Sequence, residues 1–142
     1  MAPIVSHIEI ARPPDEVFAY VTDPARFAEW QDDVVSVRTA GSGVGARFTT
    51  VRRIGRAERT MTQEISQVDP PRRWAARGVD GPIRPSATVS VEPLGDGTRS
   101  RVTFALDFAG HGIGVPLLPF VRRQAQKGAP ISYQNLKKRL ES

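Results

Sequence analysis

The chain has 142 residues with a formal charge of +5; 39% are hydrophobic and 25% charged, the make-up of one folded domain rather than a disordered or membrane-spanning chain. It contains no Cys and only His7 and His111, which excludes disulfides, thiolate chemistry and any metal site built from Cys or a His cluster; no metal and no cofactor is called for. Lys and Arg total 20 but stand at most two together, as in Arg52-Arg53 and Lys137-Lys138, and aromatics are only 7%, which argues against a nucleic-acid partner.

The opening Met1-Ala2-Pro3-Ile4-Val5 has no basic region followed by a long apolar run, and no stretch reaches the ~18 apolar residues of a membrane helix. The longest candidate, Ile113 to Val121, is broken by Gly114, Pro116 and Pro119. The expectation is a cytoplasmic protein without integral membrane association, monomeric or a homodimer.

Alternation of Ile4, Ser6, Ile8 and Ile10 with Val5, His7 and Glu9 predicts a half-buried first strand. Pro13-Pro14-Asp15-Glu16 then supplies helix-start residues, proline where no N–H is needed and acids at the positive end of the dipole. Val17, Phe18 and Val21 complete a short apolar stripe. A second short helix is expected from Asp23 as cap through Pro24, Phe27 and Trp30.

Six strands follow, predicted at Val34–Thr39, Arg47–Ile54, Arg59–Val68, Arg73–Gly78, Ser86–Glu92 and Arg99–Phe108. Short Gly, Pro and Asp turns join them, so consecutive strands pair antiparallel; parallel pairing would need long crossovers. The Gly41-Ser42-Gly43-Val44-Gly45 stretch resembles a dinucleotide fingerprint only superficially, because a strand and not a helix follows it. In the last strand Val102, Phe104, Leu106 and Phe108 share one face, and Ala87, Val89 and Val91 match that parity on the strand before.

The C-terminal stretch returns to helical period. Leu118, Val121, Ala125, Ala129, Ser132, Leu136 and Leu140 make one apolar stripe, with basic residues opposite and a kink expected near Gln126–Ala129 ahead of Pro130. One sheet face and one long amphipathic helix must cover each other, which predicts an α+β fold with the final helix across the concave side of a curved sheet.

These elements carry a resemblance. Ile8-x-Ile10-x-x-Pro13-x-x-x-Val17-Phe18, Trp30 before Val34-Val35-Ser36-Val37, Gly45-x-x-Phe48, Val68-Asp69-Pro70-Pro71-Arg72-Arg73-Trp74, Gly97-Thr98-Arg99-x-x-Val102 and Leu136-Lys137-Lys138-Arg139-Leu140-Glu141 together resemble the START-like (SRPBCC) superfamily of polyketide cyclase/dehydrase and lipid-transport proteins. The resemblance spans nearly the whole chain and implies a single START-like domain over 1–142. It further implies a helix-grip fold: a seven-stranded antiparallel sheet wrapped around the C-terminal helix, with two short helices after strand 1. The family as known places a deep cavity between sheet and helix. Some members are cyclases, aromatases or dehydratases, and many only bind and carry, so the fold does not settle the function.

The expected activity is therefore binding of a hydrophobic or amphipathic small molecule, lipid-like or aromatic, with a cyclase, aromatase or dehydratase as the alternative. Large side chains placed to surround a cavity are Trp30, Met61, Trp74, Phe104, Phe108, Phe120 and Tyr133. Small residues Ala125, Gly128, Ala129 and Ser132 on the helix would leave the gap beneath it unfilled. Gln63 faces either the cavity or solvent. Trp74 inward is the cheaper arrangement on its strand, because an inward Arg77 would be an unpaired buried charge. Arg77, His111 and Tyr133 are the candidate catalytic groups: a guanidinium to polarise an oxygen, an imidazole that titrates near neutrality and a phenol that can donate a proton.

Overall fold

The computed structural model describes residues 3–142; Met1 and Ala2, which open the segment read as lacking a leader, lie outside them. Strand β1 (Ile4–Ile10) is followed by helix α1 (Pro14–Val21), a 3-10 turn (Pro24–Arg26) and the one-turn helix α2 (Phe27–Trp30). Strands β2 (Val34–Ala40), β3 (Arg47–Ile54), β4 (Ala57–Asp69), β5 (Arg73–Asp80), β6 (Ile83–Leu94) and β7 (Arg99–Gly110) come next. A second 3-10 segment (Gly112–Leu117) leads into the 24-residue helix α3 (Leu118–Glu141).

Short connections pair β2 through β7 in sequence, and β1 returns to the open side of β7. The result is a seven-stranded antiparallel sheet in the order β1-β7-β6-β5-β4-β3-β2, with α3 across one face: the helix-grip fold. The hairpins run longer than the turn residues suggested, with β4 beginning at Ala57 and β6 at Ile83. Pairing continues through residues that looked like turn because their backbone groups still find partners across the ladder. The glycines at 41, 43 and 45 all take positive φ and turn β2 into β3, so this stretch is a hairpin connection.

Asp23 caps the first 3-10 turn by accepting from the Ala25 N–H at 3.1 Å, the role its side chain predicts. Helix α3 runs unbroken through Pro130. The turn before that proline is exposed, so water can serve the carbonyl that the missing N–H leaves over.

Two apolar clusters make the core. The larger joins Ile8, Ile10, Val17, Trp30, Phe104 and Leu136 with their neighbours; the smaller gathers Met61, Ile83 and Val121. The C-terminal half of α3 belongs to the first and its N-terminal half to the second, so the helix bridges both.

Polar clamps hold that C-terminal half. Lys137 Nζ donates to the Glu9 carbonyl at 2.6 Å and to Glu141 at 2.7 Å, and Glu141 also accepts from the Ala11 N–H at 2.8 Å. Arg139 Nε donates to the Glu29 carbonyl at 2.7 Å, and Asn135 Nδ2 reaches the Trp30 carbonyl at 3.3 Å.

The hydrogen bond from Lys137, with that from Ala11, holds the Glu141 carboxyl below the usual carboxylate range. A carboxylate with a depressed folded pKa contributes stability that is present above its unfolded pKa and lost as pH falls through the folded value. Denaturant titrations of the wild type and Glu141→Gln should therefore differ at neutral pH and converge in acid.

Candidate functional site

Where α3 crosses the sheet it presents Ala125, Gly128, Ala129 and Ser132, and these side chains are too short to reach the facing strands. Beneath them lies a cavity of about 390 Å³. That is within the ~300–1,000 Å³ range of small-molecule sites. A Cβ built on Gly128 would meet nothing within 4 Å, so the helix backbone itself borders empty space.

The sheet supplies the opposite wall through one parity of each strand. Met61 and Gln63 come from β4, Trp74 from β5, Val89 from β6, and Phe104, Leu106 and Phe108 from β7. An aromatic end wall closes the chamber: the Phe27 ring meets Trp30, Phe48 and Trp74 edge-on at centroid distances of 6.0, 5.8 and 6.3 Å. Such edge-to-face pairs fix ring orientation as well as burying area.

Tyr133 of α3 stacks on Phe104 with centroids 4.0 Å apart and planes at 10°. Its hydroxyl makes no hydrogen bond among the described residues. Burial raises the phenol pKa far above its ordinary value, against a weaker opposing pull from the Arg52 guanidinium, so the group stays a neutral donor. Gln63 is only 4% exposed, borders the same space and is likewise without a side-chain hydrogen bond among the described residues. Two further polar atoms, Trp30 Nε1 and Thr50 Oγ1, are wholly buried without a partner among the described residues. Native interiors rarely tolerate such groups without a compensating role.

The mouth opens beside α3 at Gly128 and Ile131. Asp33, from the loop after α2, faces Arg52 of β3, whose Nη1 donates to both carboxylate oxygens at 3.2 Å. Asp32, Arg53 and Lys127 complete a charged rim around an apolar interior.

The residues singled out from the sequence fall into two groups. Trp30, Met61, Gln63, Trp74, Phe104, Phe108, Ala125, Ala129 and Tyr133 all border the cavity, and Gln63 takes the inward alternative. Phe120 does not: it sits on the outer side of the first turn of α3, 41% exposed, with its ring over Gly55.

Neither Arg77 nor His111 reaches the cavity. Arg77 has the parity opposite Trp74, and its 65% exposed side chain lies 3.8 Å from Glu64 on the outer face. His111 is exposed in the connection after β7. His7 is exposed too and bonds Thr103 at 2.9 Å. Arg52 and Asp33 were not singled out, although Phe48-x-Thr50-x-Arg52-x-Ile54 places Arg52 on the inward parity of β3. The alternation was the available signal; its charged member looked like a surface residue.

Among the described residues there is no cluster able to hold a metal ion, and no helix is long and apolar enough to cross a membrane. Residues 1–141 match the family model described as polyketide cyclase/dehydrase and lipid transport. Among solved structures, the chain is similar to the Zhui aromatase/cyclase from Streptomyces sp. R1128 (TM-score 0.83, 15% identity, covering 98% of this chain and 93% of that one). It is also similar to a START superfamily protein from Mycobacterium smegmatis (TM-score 0.82, 14% identity, 99% and 98% covered). Similarity extends to the di-domain ARO/CYC BexL of the BE-7585A biosynthetic pathway (TM-score 0.74, 20% identity, 97% and 46% covered). At these identities the likeness shows the fold alone. No curated protein gives a significant match.

Because Gly128 is helical and a Cβ there enters open space, Gly128→Ala should stabilise the fold by ~0.5–1 kcal/mol, read as a higher denaturation midpoint. A lower midpoint would mean that the space beneath α3 is filled.

Proposed function

We propose that this chain, which belongs to the polyketide cyclase/dehydrase and lipid-transport family, captures an amphipathic small molecule in the cavity between sheet and α3 and acts as a carrier or sensor of it. One observation carries the reading: an apolar chamber of about 390 Å³ whose inner polar groups, Gln63 and Tyr133, make no side-chain hydrogen bond among the described residues. An apolar guest body replaces water along the aromatic and aliphatic walls, where burial contributes ~25 cal/mol per Å². A carbonyl or hydroxyl on the guest accepts from the Tyr133 phenol or pairs with the Gln63 amide, which sets its orientation.

A cyclase or dehydratase needs two ionisable groups converging on the substrate, one to take a proton and one to give it. The cavity interior offers Tyr133, whose raised pKa makes it a poor base partner near neutrality. At the mouth, Arg52 and Asp33 neutralise each other. His111 and Arg77 stand elsewhere, and this favours binding over catalysis.

Native mass spectrometry of the purified protein should reveal a co-purifying small molecule, or uptake of a fluorescent apolar probe at unit stoichiometry. Ala129→Phe, which projects a ring into the chamber, should abolish that uptake while thermal unfolding stays cooperative; full uptake by a folded Ala129→Phe protein would refute the site. Tyr133→Phe removes a hydroxyl that makes no hydrogen bond among the described residues. It should leave the melting temperature unchanged or higher and weaken guests bearing an acceptor by about fivefold to tenfold, the worth of one hydrogen bond of ~1 kcal/mol. Equal loss for acceptor-free guests would argue against orientation by Tyr133.

A further inference from the structure

At the end of the molecule away from the polar clamps, the 3-10 segment before α3 carries its apolar side chains on the outside. Gly114 is the inward residue. It packs so closely on the β5–β6 connection that an added Cβ would lie 1.8 Å from the Pro82 carbonyl oxygen, and the His111 N–H donates to that same carbonyl at 2.9 Å. With Gly114 seated there, its neighbours are forced outward: Ile113 is 75% exposed and Val115 54%. Phe120 joins the same end, where it lines a groove with Leu117, Ile54, Arg56 and Arg59. Single exposed apolar residues need no explanation, but a projecting group of them does.

The charge around this ridge is mostly positive. Arg56, Arg59 and Arg123 make no ion pair among the described residues, and Arg123 follows Phe120 by three positions, on the same helical face. The acids nearby are engaged: Glu58 faces Arg53 at 3.7 Å, Asp107 binds Arg122 at 2.9 Å, and Asp80 accepts from the Gly81 N–H. Farther along the same face come Lys127 and Ile131 at the cavity mouth, ~16 Å from Phe120 at the helical rise.

We propose that the Ile113–Val115–Phe120 ridge and its flanking arginines form a docking surface for an anionic phospholipid bilayer, with the aliphatic side chains entering the acyl boundary and the guanidinia pairing with headgroup phosphates. The shape fits a bilayer, since Ile113 and Val115 project into solvent beside the partly exposed Phe120 ring. The chemistry sets aside other occupants. Two-fold pairing of this patch with a second copy would bring the same unpaired arginines face to face. Single-stranded nucleic acid needs aromatic platforms, and Phe120 is the only aromatic side chain on the ridge. The proposal is independent of what the cavity holds.

Flotation with vesicles of phosphatidylcholine alone, or with roughly one third phosphatidylserine, tests it on the whole protein. Binding should appear on the anionic vesicles, exceed that on neutral ones at least tenfold and fall with added salt. Ile113→Asp with Val115→Asp should abolish it, and Arg56→Gln or Arg123→Gln should each reduce it about fivefold, matching ~1 kcal/mol per charge at an anionic surface. All these side chains are exposed, so melting temperatures should be unchanged. Absent or charge-independent vesicle binding would overturn the proposal. So would a dimer at micromolar concentration that the Ile113→Asp variant dissociates without any vesicle binding, or retention of full binding by the double aspartate variant.

Discussion

The cavity depends on how one helix is held. Helix α3 is fastened at its C-terminal half, where Leu136 is wholly buried and Lys137, Arg139, Asn135 and Glu141 reach across to β1, α2 and the connection between β1 and α1. Those attachments set the height of the helix above the sheet independently of the side chains further up. Ala125, Gly128, Ala129 and Ser132 then pass over the strands without touching bottom. Protein interiors normally close such gaps, because unmet surfaces forfeit dispersion contacts. Here the clamps and the two flanking clusters supply the stability, and the middle is left open.

Polar groups divide along the same geometry. The rim is charged, with Arg52 paired to Asp33, while Gln63 and Tyr133 deeper in are uncharged donors and acceptors. A guest of the proposed kind would lose its hydration at the rim and meet fixed dipoles inside. On the proposed reading its orientation would come from a few hydrogen-bonding groups, which suits a molecule carrying oxygen substituents on an apolar frame. The stacked Tyr133–Phe104 pair fixes where one of those groups points.

Much of this was legible from alternation. The inward set on β7 and β6 follows from a two-residue period, and Trp74 over Arg77 follows from the cost of an unpaired guanidinium. The small-residue stripe on α3 was visible at helical spacing and marks the roof of the cavity. Other features were not readable. Gln63 stands on an apolar parity between two polar neighbours, and only the register with β3 and β5 places it inside. Phe120 looked like a cavity residue because it is large and near Val121. One position of helical rotation, about 100°, carries it to the outside. The Arg52–Asp33 contact joins residues 19 apart in sequence through the bulged β2–β3 pairing, a relation that no local pattern encodes.

The uneven fastening of α3 also has a dynamic meaning. Behind Ser132 the helix is bound by several polar contacts and the main core; ahead of it, by the small Met61–Ile83–Val121 group and the Arg122–Asp107 pair. Segments with fewer buried contacts open locally at lower free energy than the whole domain. Amide deuteration should accordingly run faster over residues 118–128 than over 132–140. The front of the cavity's roof is thus the part of α3 that yields first, while the rear stays anchored.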